Sequence, residues 1–283
     1  MKSFEYNSDY FGGKMRGWTA ISIETISSRL LATLRNESFP KDGIVLDYGC
    51  GNGAYFPYLK QSSLEVVGVD ISPEAVKQAS KEPYNAVLLI DKAVAPVPSQ
   101  SAAIVFSTEV LEHIEDAETA VREFNRLLKK GGLLILTTTS YFSSINVYLS
   151  TAIQQKHSLV KVLHEVCLYF LGFCSKRRQK TFVMKWCYLP LGGHYHGFKP
   201  SALKSMISKV GFRILELHPL YIYDPIGFSR YTSVKSVNDS FRFPLNIILM
   251  IPLLVISASN VFLKALKIGA NNIYLVARKT KDS

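Results

Sequence analysis

The stretch Ile44–Gly53, I-V-L-D-Y-G-C-G-N-G, constrains the fold more than any other part of the chain. A short apolar strand, Ile44 to Leu46, delivers Asp47 and then Gly49, Gly51 and Gly53 into a tight turn that should open a helix. Glycine permits the positive φ such a turn needs and lets a ligand approach the backbone. A second apolar run, Val66 to Val69, ends in Asp70, whose carboxylate can accept both hydroxyls of a ribose. The pattern predicts a strand–turn–helix unit that holds a nucleoside-containing cofactor.

Gly49, Gly51 and Ala54 also fit a dinucleotide fingerprint, so the turn by itself leaves the cofactor open. Asp47 before the first glycine, the Gly49-x-Gly51-x-Gly53 spacing, and a third strand, Ala86 to Ile90, ending in Asp91 narrow the choice. An acid at the end of that strand can accept from an adenine amino group. With these residues the chain resembles the class I S-adenosylmethionine-dependent methyltransferases. The resemblance implies S-adenosyl-L-methionine as cofactor, held by Asp47, Gly49, Gly51, Gly53, Asp70, Ile71, Asp91 and Ser107.

From Ile44 onward apolar runs alternate with helical patterns: a helix from Pro73 to Ser80, a strand Ala102 to Phe106, a helix Ala117 to Leu128 and a strand Leu133 to Thr138. Such alternation predicts an α/β, Rossmann-like, doubly wound sheet, seven-stranded once Phe212–Leu217 and Ile273–Ala277 join it. Gly131-Gly132 is expected to end the second of these helices. The expected division is an N-terminal lid segment over residues 1–40, a cofactor-binding core over 41–139, a helical substrate-side insertion over 140–199, and completion of the sheet over 200–283. In the lid, Tyr10, Phe11 or Arg16 would cover the cofactor or simply pack against the domain.

Within the insertion, Leu159 to Phe173 reads as an amphipathic helix. Leu159, Val162, Leu163, Val166, Phe170 and Phe173 share one face, opposed by Lys161, His164 and Glu165. Lys176-Arg177-Arg178-Gln179-Lys180 follows directly, a pairing that suits an anionic membrane surface or a solvated loop beside a domain helix. Residues 243–263 carry no charge and lie between Arg242 and Lys264. A single crossing there would put two strands of one sheet on opposite sides of a bilayer, and Pro252 interrupts the run. An apolar hairpin dipping into one leaflet is the favoured reading, beside a protein contact, a tunnel wall or a true span.

Net charge is +11 over 283 residues, and the mean hydropathy is +0.12, high for a cytosolic enzyme. The charge suits nucleic acid, anionic lipid or an acidic substrate alike. Cys50, Cys167, Cys174 and Cys187 form no C-x-x-C pair and read as reduced thiols. The early residues Glu5, Asn7 and Asp9 interrupt any signal-peptide core, so the expected location is cytoplasmic, peripheral or monotopic at a membrane.

The strand Ala102–Phe106 runs into S-T-E-V-L-E-H-I, where Glu109, Glu112 and His113 stand at i, i+3 and i+4. On a helical turn these share a face, and they can hold a divalent ion or let a carboxylate orient His113 as a base. E-V-L-E-H-I, the later G-G-H-Y-H-G-F-K-P and L-Y-I-Y-D-P-I resemble quinone-biosynthesis O-methyltransferases. That resemblance, with a similarity to small-RNA 2′-O-methyltransferases that hold a metal on two glutamates and two histidines, implies metal ligands Glu109, Glu112, His113 and His194, with Mg2+ one candidate ion, and Glu109, His113, His194 and His196 as catalytic candidates. Substrate-side histidines without metal, or plain loop histidines, are the competing readings. The expected activity is O-methylation of a lipid-soluble or lipid-linked acceptor, a quinone precursor or a glycolipid or polysaccharide intermediate, at a membrane surface. RNA methylation is the second enzyme reading, weakened because no aromatic stacking platform is evident. A non-catalytic cofactor-binding membrane scaffold is the third.

Overall fold

The computed structural model describes residues 16–90, 93–154, 157–172, 174–186, 193–220 and 272–281. Asp91, Tyr10, Phe11, Cys187, Phe173, the segment 243–263 and the side chain of Arg16 lie outside that description.

Helix α1 (Arg16–Asn36) leads into β1 (Ile44–Tyr48), the glycine turn, a one-turn helix α2 (Phe56–Leu59) and β2 (Glu65–Asp70). Then come α3 (Pro73–Ala79), β3 (Ala86–Leu89), β4 (Ala102–Thr108), α4 (Ala117–Leu127) and β5 (Leu128–Thr139). Helices α5 (Tyr141–Gln154), α6 (Leu159–Leu171) and α7 (Lys176–Trp186) fill the insertion, before α8 (Pro200–Lys209), β6 (Phe212–Leu220) and β7 (Asn272–Lys279). The seven strands lie in the order β3-β2-β1-β4-β5-β7-β6, with β7 antiparallel to both neighbours and the other pairs parallel. The order reverses beside β1, so the C-terminal ends of β1 and β4 border the crevice where such sheets bind ligands.

Strands β1, β4 and β5 are apolar on both faces because helices cover both. Phe124, Val121 and Leu127 of α4 and Leu203 and Ile207 of α8 pack on one face. Ile26 and Leu30 of α1 and Phe56 and Leu59 of α2 pack on the other. Ser72 caps α3 by accepting from the Ala75 amide at 3.2 Å, with Pro73 in the first turn, and Asp116 accepts from the Thr119 amide at the start of α4.

Two expectations are corrected here. Gly131 and Gly132 do not terminate α4: that helix ends at Leu127, and the pair lies inside β5 beside a register shift against β4, with Gly131 at φ +79°. The glycines help the chain absorb the three extra residues that β5 carries there relative to β4, and the strand continues. The amphipathic face of α6 is also turned from the expected one. Val162, Val166 and Tyr169 point into an aromatic cluster with Tyr141, Tyr148 and Phe182, whereas Leu163 and Phe170 are exposed. Glu165, expected on the outer face, is buried because Lys185 Nζ and Trp186 Nε1 of α7 donate to its carboxylate at 2.5 and 2.8 Å. The basic run 176–180 forms the first turns of α7, not a loop.

Candidate active site

The glycine turn is built as the sequence predicts, except that only the single turn α2 follows it. Gly49, Gly51 and Gly53 take φ of +78°, +54° and +82°. The amides of Gly49 and Cys50 donate to the Val69 carbonyl at 2.8 and 3.0 Å, tying the turn across to β2. A Cβ on Gly49 would stand 2.2 Å from Val110 Cγ2, so glycine is required both by backbone and by space.

Asp70, at the end of β2, is fixed by the Gly51 and Ser72 amides, each donating at 2.9 Å to a different carboxylate oxygen. Asp47 is buried and accepts from Tyr84 Oη at 2.5 Å. Burial pushes Asp47 up to about 7, against the Tyr84 hydrogen bond and with help from the nearby Asp70 charge, and burial also raises Asp70. Ser107 Oγ, at the end of β4, is buried with no hydrogen-bond partner among the described residues. Ile71 bares half of its side chain. Two buried acids at the ends of β1 and β2 and an orphaned hydroxyl at the end of β4 supply the acceptors that the amino groups and ribose hydroxyls of S-adenosylmethionine would need. A bound ammonium would lower the cost of ionising Asp47.

Beyond Thr108 the chain makes a sharp turn. Glu109 sits at φ +55°, a left-handed conformation that a non-glycine residue adopts at a cost of about 1–3 kcal/mol. A short 3-10 turn, Leu111–His113, follows, so Glu109, Glu112 and His113 do not line an α-helical face. Thr137 Oγ1 donates to Glu109 at 2.8 Å, and Asn272 Nδ2 of β7 donates to its other oxygen. Thr138 and Thr139 donate to the two oxygens of Glu112 at 2.7 and 2.8 Å. Burial, then the neighbouring Glu112 carboxylate, pushes Glu109 up to about 8, and burial raises Glu112 too. Thr137, Thr138, Thr139 and Asn272 were not singled out from the sequence, although a run of three threonines ending an apolar strand was a visible signal.

His194 comes back to this turn from the far side of the insertion. Tyr195 and His196 amides donate to the Glu112 carbonyl at 2.8 and 3.3 Å, and the His113 and His194 rings meet edge to face with centroids 4.5 Å apart. Glu112, His113 and His194 each offer a ligand atom within 4.8 Å of the others. Glu109 stands outside that group, so three of the four expected ligands converge. Burial, then His113, holds His194 well below the ordinary histidine range, and its Nδ1 has no partner among the described residues. His196 lies apart: its Nε2 bonds the Glu115 carbonyl at 3.0 Å, and burial lowers its pKa.

The expected Mg2+ fits this trio poorly. Magnesium takes oxygen ligands and keeps waters, whereas two imidazoles and one carboxylate suit softer divalent ions.

Comparison with known proteins agrees with the geometry. A family described as the methyltransferase domain matches residues 22–217. A malonyl-[acyl-carrier protein] O-methyltransferase of Hamiltonella defensa is 31% identical over 99 residues, 35% of this chain and 38% of that protein, so the chain spans well under half the length of this relative. A ubiquinone biosynthesis O-methyltransferase of Pelagibacter ubique is 28% identical over 238 residues, 81% of this chain and 87% of the relative. The crystal structure of an S-adenosylmethionine-dependent methyltransferase from Mesorhizobium loti has the same fold, with a TM-score of 0.53 at 13% identity over 90% of this chain and 98% of that one.

Proposed function

The chain belongs to the methyltransferase domain family and is an S-adenosylmethionine-dependent methyltransferase, and from this we propose that it O-methylates a hydroxyl on a lipid-soluble or lipid-linked acceptor at a membrane surface. The observation that carries the reading is the paired carboxyls Glu109 and Glu112 beside two imidazoles at the C-terminal end of β4. A hydroxyl acceptor must lose a proton as the new bond forms, and such a group of titratable side chains beside the cofactor crevice suits that task.

Bound S-adenosylmethionine would supply an electrophilic methyl group on sulfonium sulfur, with Asp47, Asp70, the glycine turn and Ser107 as its holders. Glu109 takes the hydroxyl proton. Its raised pKa keeps it near the operating pH, where a general base is most effective, and Thr137 and Asn272 fix its orientation. Burial holds His194 neutral, and its ring packs edge to face against His113 at the border of this site. Positioning of this kind accounts for much of the rate in a displacement that needs little else from the protein. The Glu112–His113–His194 group is a candidate site for a divalent ion, with Mn2+ or Zn2+ a better match to its ligands than Mg2+.

A lipid-side acceptor is supported by the long match to a ubiquinone biosynthesis O-methyltransferase and by the apolar helix α6 in the insertion. Among the described residues no helix is long and apolar enough to cross a membrane. The test is methyl transfer from labelled S-adenosylmethionine to a prenylated catechol in anionic vesicles, beside transfer to RNA. Label should enter the lipid fraction and fall by about 10²-fold or more with Glu109→Gln. Label on RNA alone would reject the acceptor class.

A further inference from the structure

Helix α6 carries Val160, Leu163, Phe170 and Leu171 at 79%, 56%, 62% and 42% exposure. Positions 160, 163, 167, 170 and 171 recur at three- and four-residue spacing, so they form one outward stripe with exposed Cys167 at its centre. A stripe of this size on an otherwise basic protein marks an interaction surface. Helix α7 begins five residues after Leu171 with Lys176, Arg177 and Arg178, all exposed and without an acidic partner among the described residues. By contrast, Lys180 pairs with Glu115 at 3.5 Å and Lys185 with Glu165 at 2.5 Å. Three cations in the first turn of a helix oppose its dipole, an arrangement that a bound anion relieves. Between the two helices lies a cleft of about 300 Å³, lined by Ser175, Arg177, Arg178 and Thr181, by the Lys185–Glu165 ion pair, and by Leu168 and Phe182.

We propose that the α6–α7 hairpin is the membrane-docking element: the α6 stripe enters the acyl region of an anionic bilayer while lipid phosphates sit against Arg177 and Arg178 in the cleft. The inference rests on the lipid-side function above and names the surface that serves it. Charge decides the occupant, since a second copy would bring another +11 surface against these cations, whereas anionic lipid matches both the charge and the apolar stripe. Docking here also reaches the acceptor side. Gln179 Nε2 of α7 donates to the Gly197 carbonyl at 2.5 Å, and Lys199 Nζ donates to the Gly172 carbonyl at 3.3 Å. Both bonds tie the hairpin to the segment that follows His194, so a docked hairpin holds that segment near the lipid.

The test is co-sedimentation of the full chain with phosphatidylglycerol vesicles and with phosphatidylcholine vesicles, alone and with inorganic phosphate as competitor. Binding should favour phosphatidylglycerol and weaken at high salt. Arg177→Glu with Arg178→Glu should lower partitioning by at least about 25-fold, from roughly fivefold per basic side chain. Leu163→Asp with Phe170→Asp should abolish it, and the milder Leu163→Ser and Arg177→Gln should each weaken it. Unchanged S-adenosylhomocysteine binding shows that each variant is folded, and loss of that binding in the wild type would instead count against the methyltransferase reading. Wild-type partitioning in both double variants overturns the proposal, as does equal binding to both vesicles or saturation of the cleft by free phosphate without any vesicle binding.

Discussion

Gly49 is the point where the glycine turn and the turn after β4 touch, and Gly49→Ala tests that packing. At φ +78° a Cβ costs about 1–2 kcal/mol for the left-handed conformation. The added methyl would also lie 2.2 Å from Val110 Cγ2, well inside contact distance, and overpacking of this kind costs about 1–3 kcal/mol. The sum, about 2–5 kcal/mol, is a large share of the 5–15 kcal/mol that holds an ordinary domain together. At about 2–4 °C per kcal/mol for a chain of this size, Tm should fall by roughly 4–20 °C. Val110→Ala removes the methyl that clashes, so the double variant should recover the overpacking part while keeping the backbone strain, a coupling of about 1–3 kcal/mol. Urea titration of wild type, both single variants and the double variant measures that coupling. A loss below about 0.5 kcal/mol in Gly49→Ala, or strictly additive single losses, would refute the claim that Val110 dictates glycine at this position.

Glu109 offers a pH signature. Its carboxyl, near 4.5 when unfolded, is raised to about 8 in the folded state, so the folded chain retains a proton that the unfolded chain releases. That contribution is intact below pH 4.5 and is lost as pH rises through 8; Glu109→Gln should flatten the decline in denaturant midpoint over this window, and an unchanged profile would remove Glu109 as its source. In the insertion, Glu165→Gln weakens the bonds from Lys185 and Trp186 and should cost about 1–3 kcal/mol, with Trp186 emission moving to longer wavelength. Despite burial, those partners hold Glu165 below its ordinary range, so its contribution is present above pH 4.5 and lost as pH falls through the folded value.

Much of this was legible in the chain because it is local. Strand β1, the glycines and Asp70 announce themselves by type and spacing, and the structure joins the turn to the end of β2 through the Gly49, Cys50 and Gly51 amides, as a parallel βαβ unit requires. Alternating apolar runs likewise specified the sheet. What escaped depends on distant partners. Asn272 meets Glu109 only because β7 inserts between β5 and β6, which no local pattern encodes. The threonines at 137–139 matter because the left-handed turn at Glu109 swings both carboxylates over the end of β5. The inner face of α6 was misread for a similar reason: an acid buried by a lysine and a tryptophan twenty residues away looks, in isolation, like a solvent-facing charge. Of the four expected ligands, only Glu109, Glu112 and His113 stood at helical spacing, and Glu109 drops out of the group where the turn after β4 is left-handed at Glu109 and 3-10 over Leu111–His113.

The most direct test of the central claim is calorimetric titration of the purified chain with S-adenosylmethionine and S-adenosylhomocysteine, beside NAD. Asp47 and the turn at Gly49–Gly53 predict saturable binding of the first two at one site, lost in Asp47→Ala, and no binding of NAD. Binding of NAD alone, or equal affinity in Asp47→Ala, would contradict the assignment of this crevice to S-adenosylmethionine.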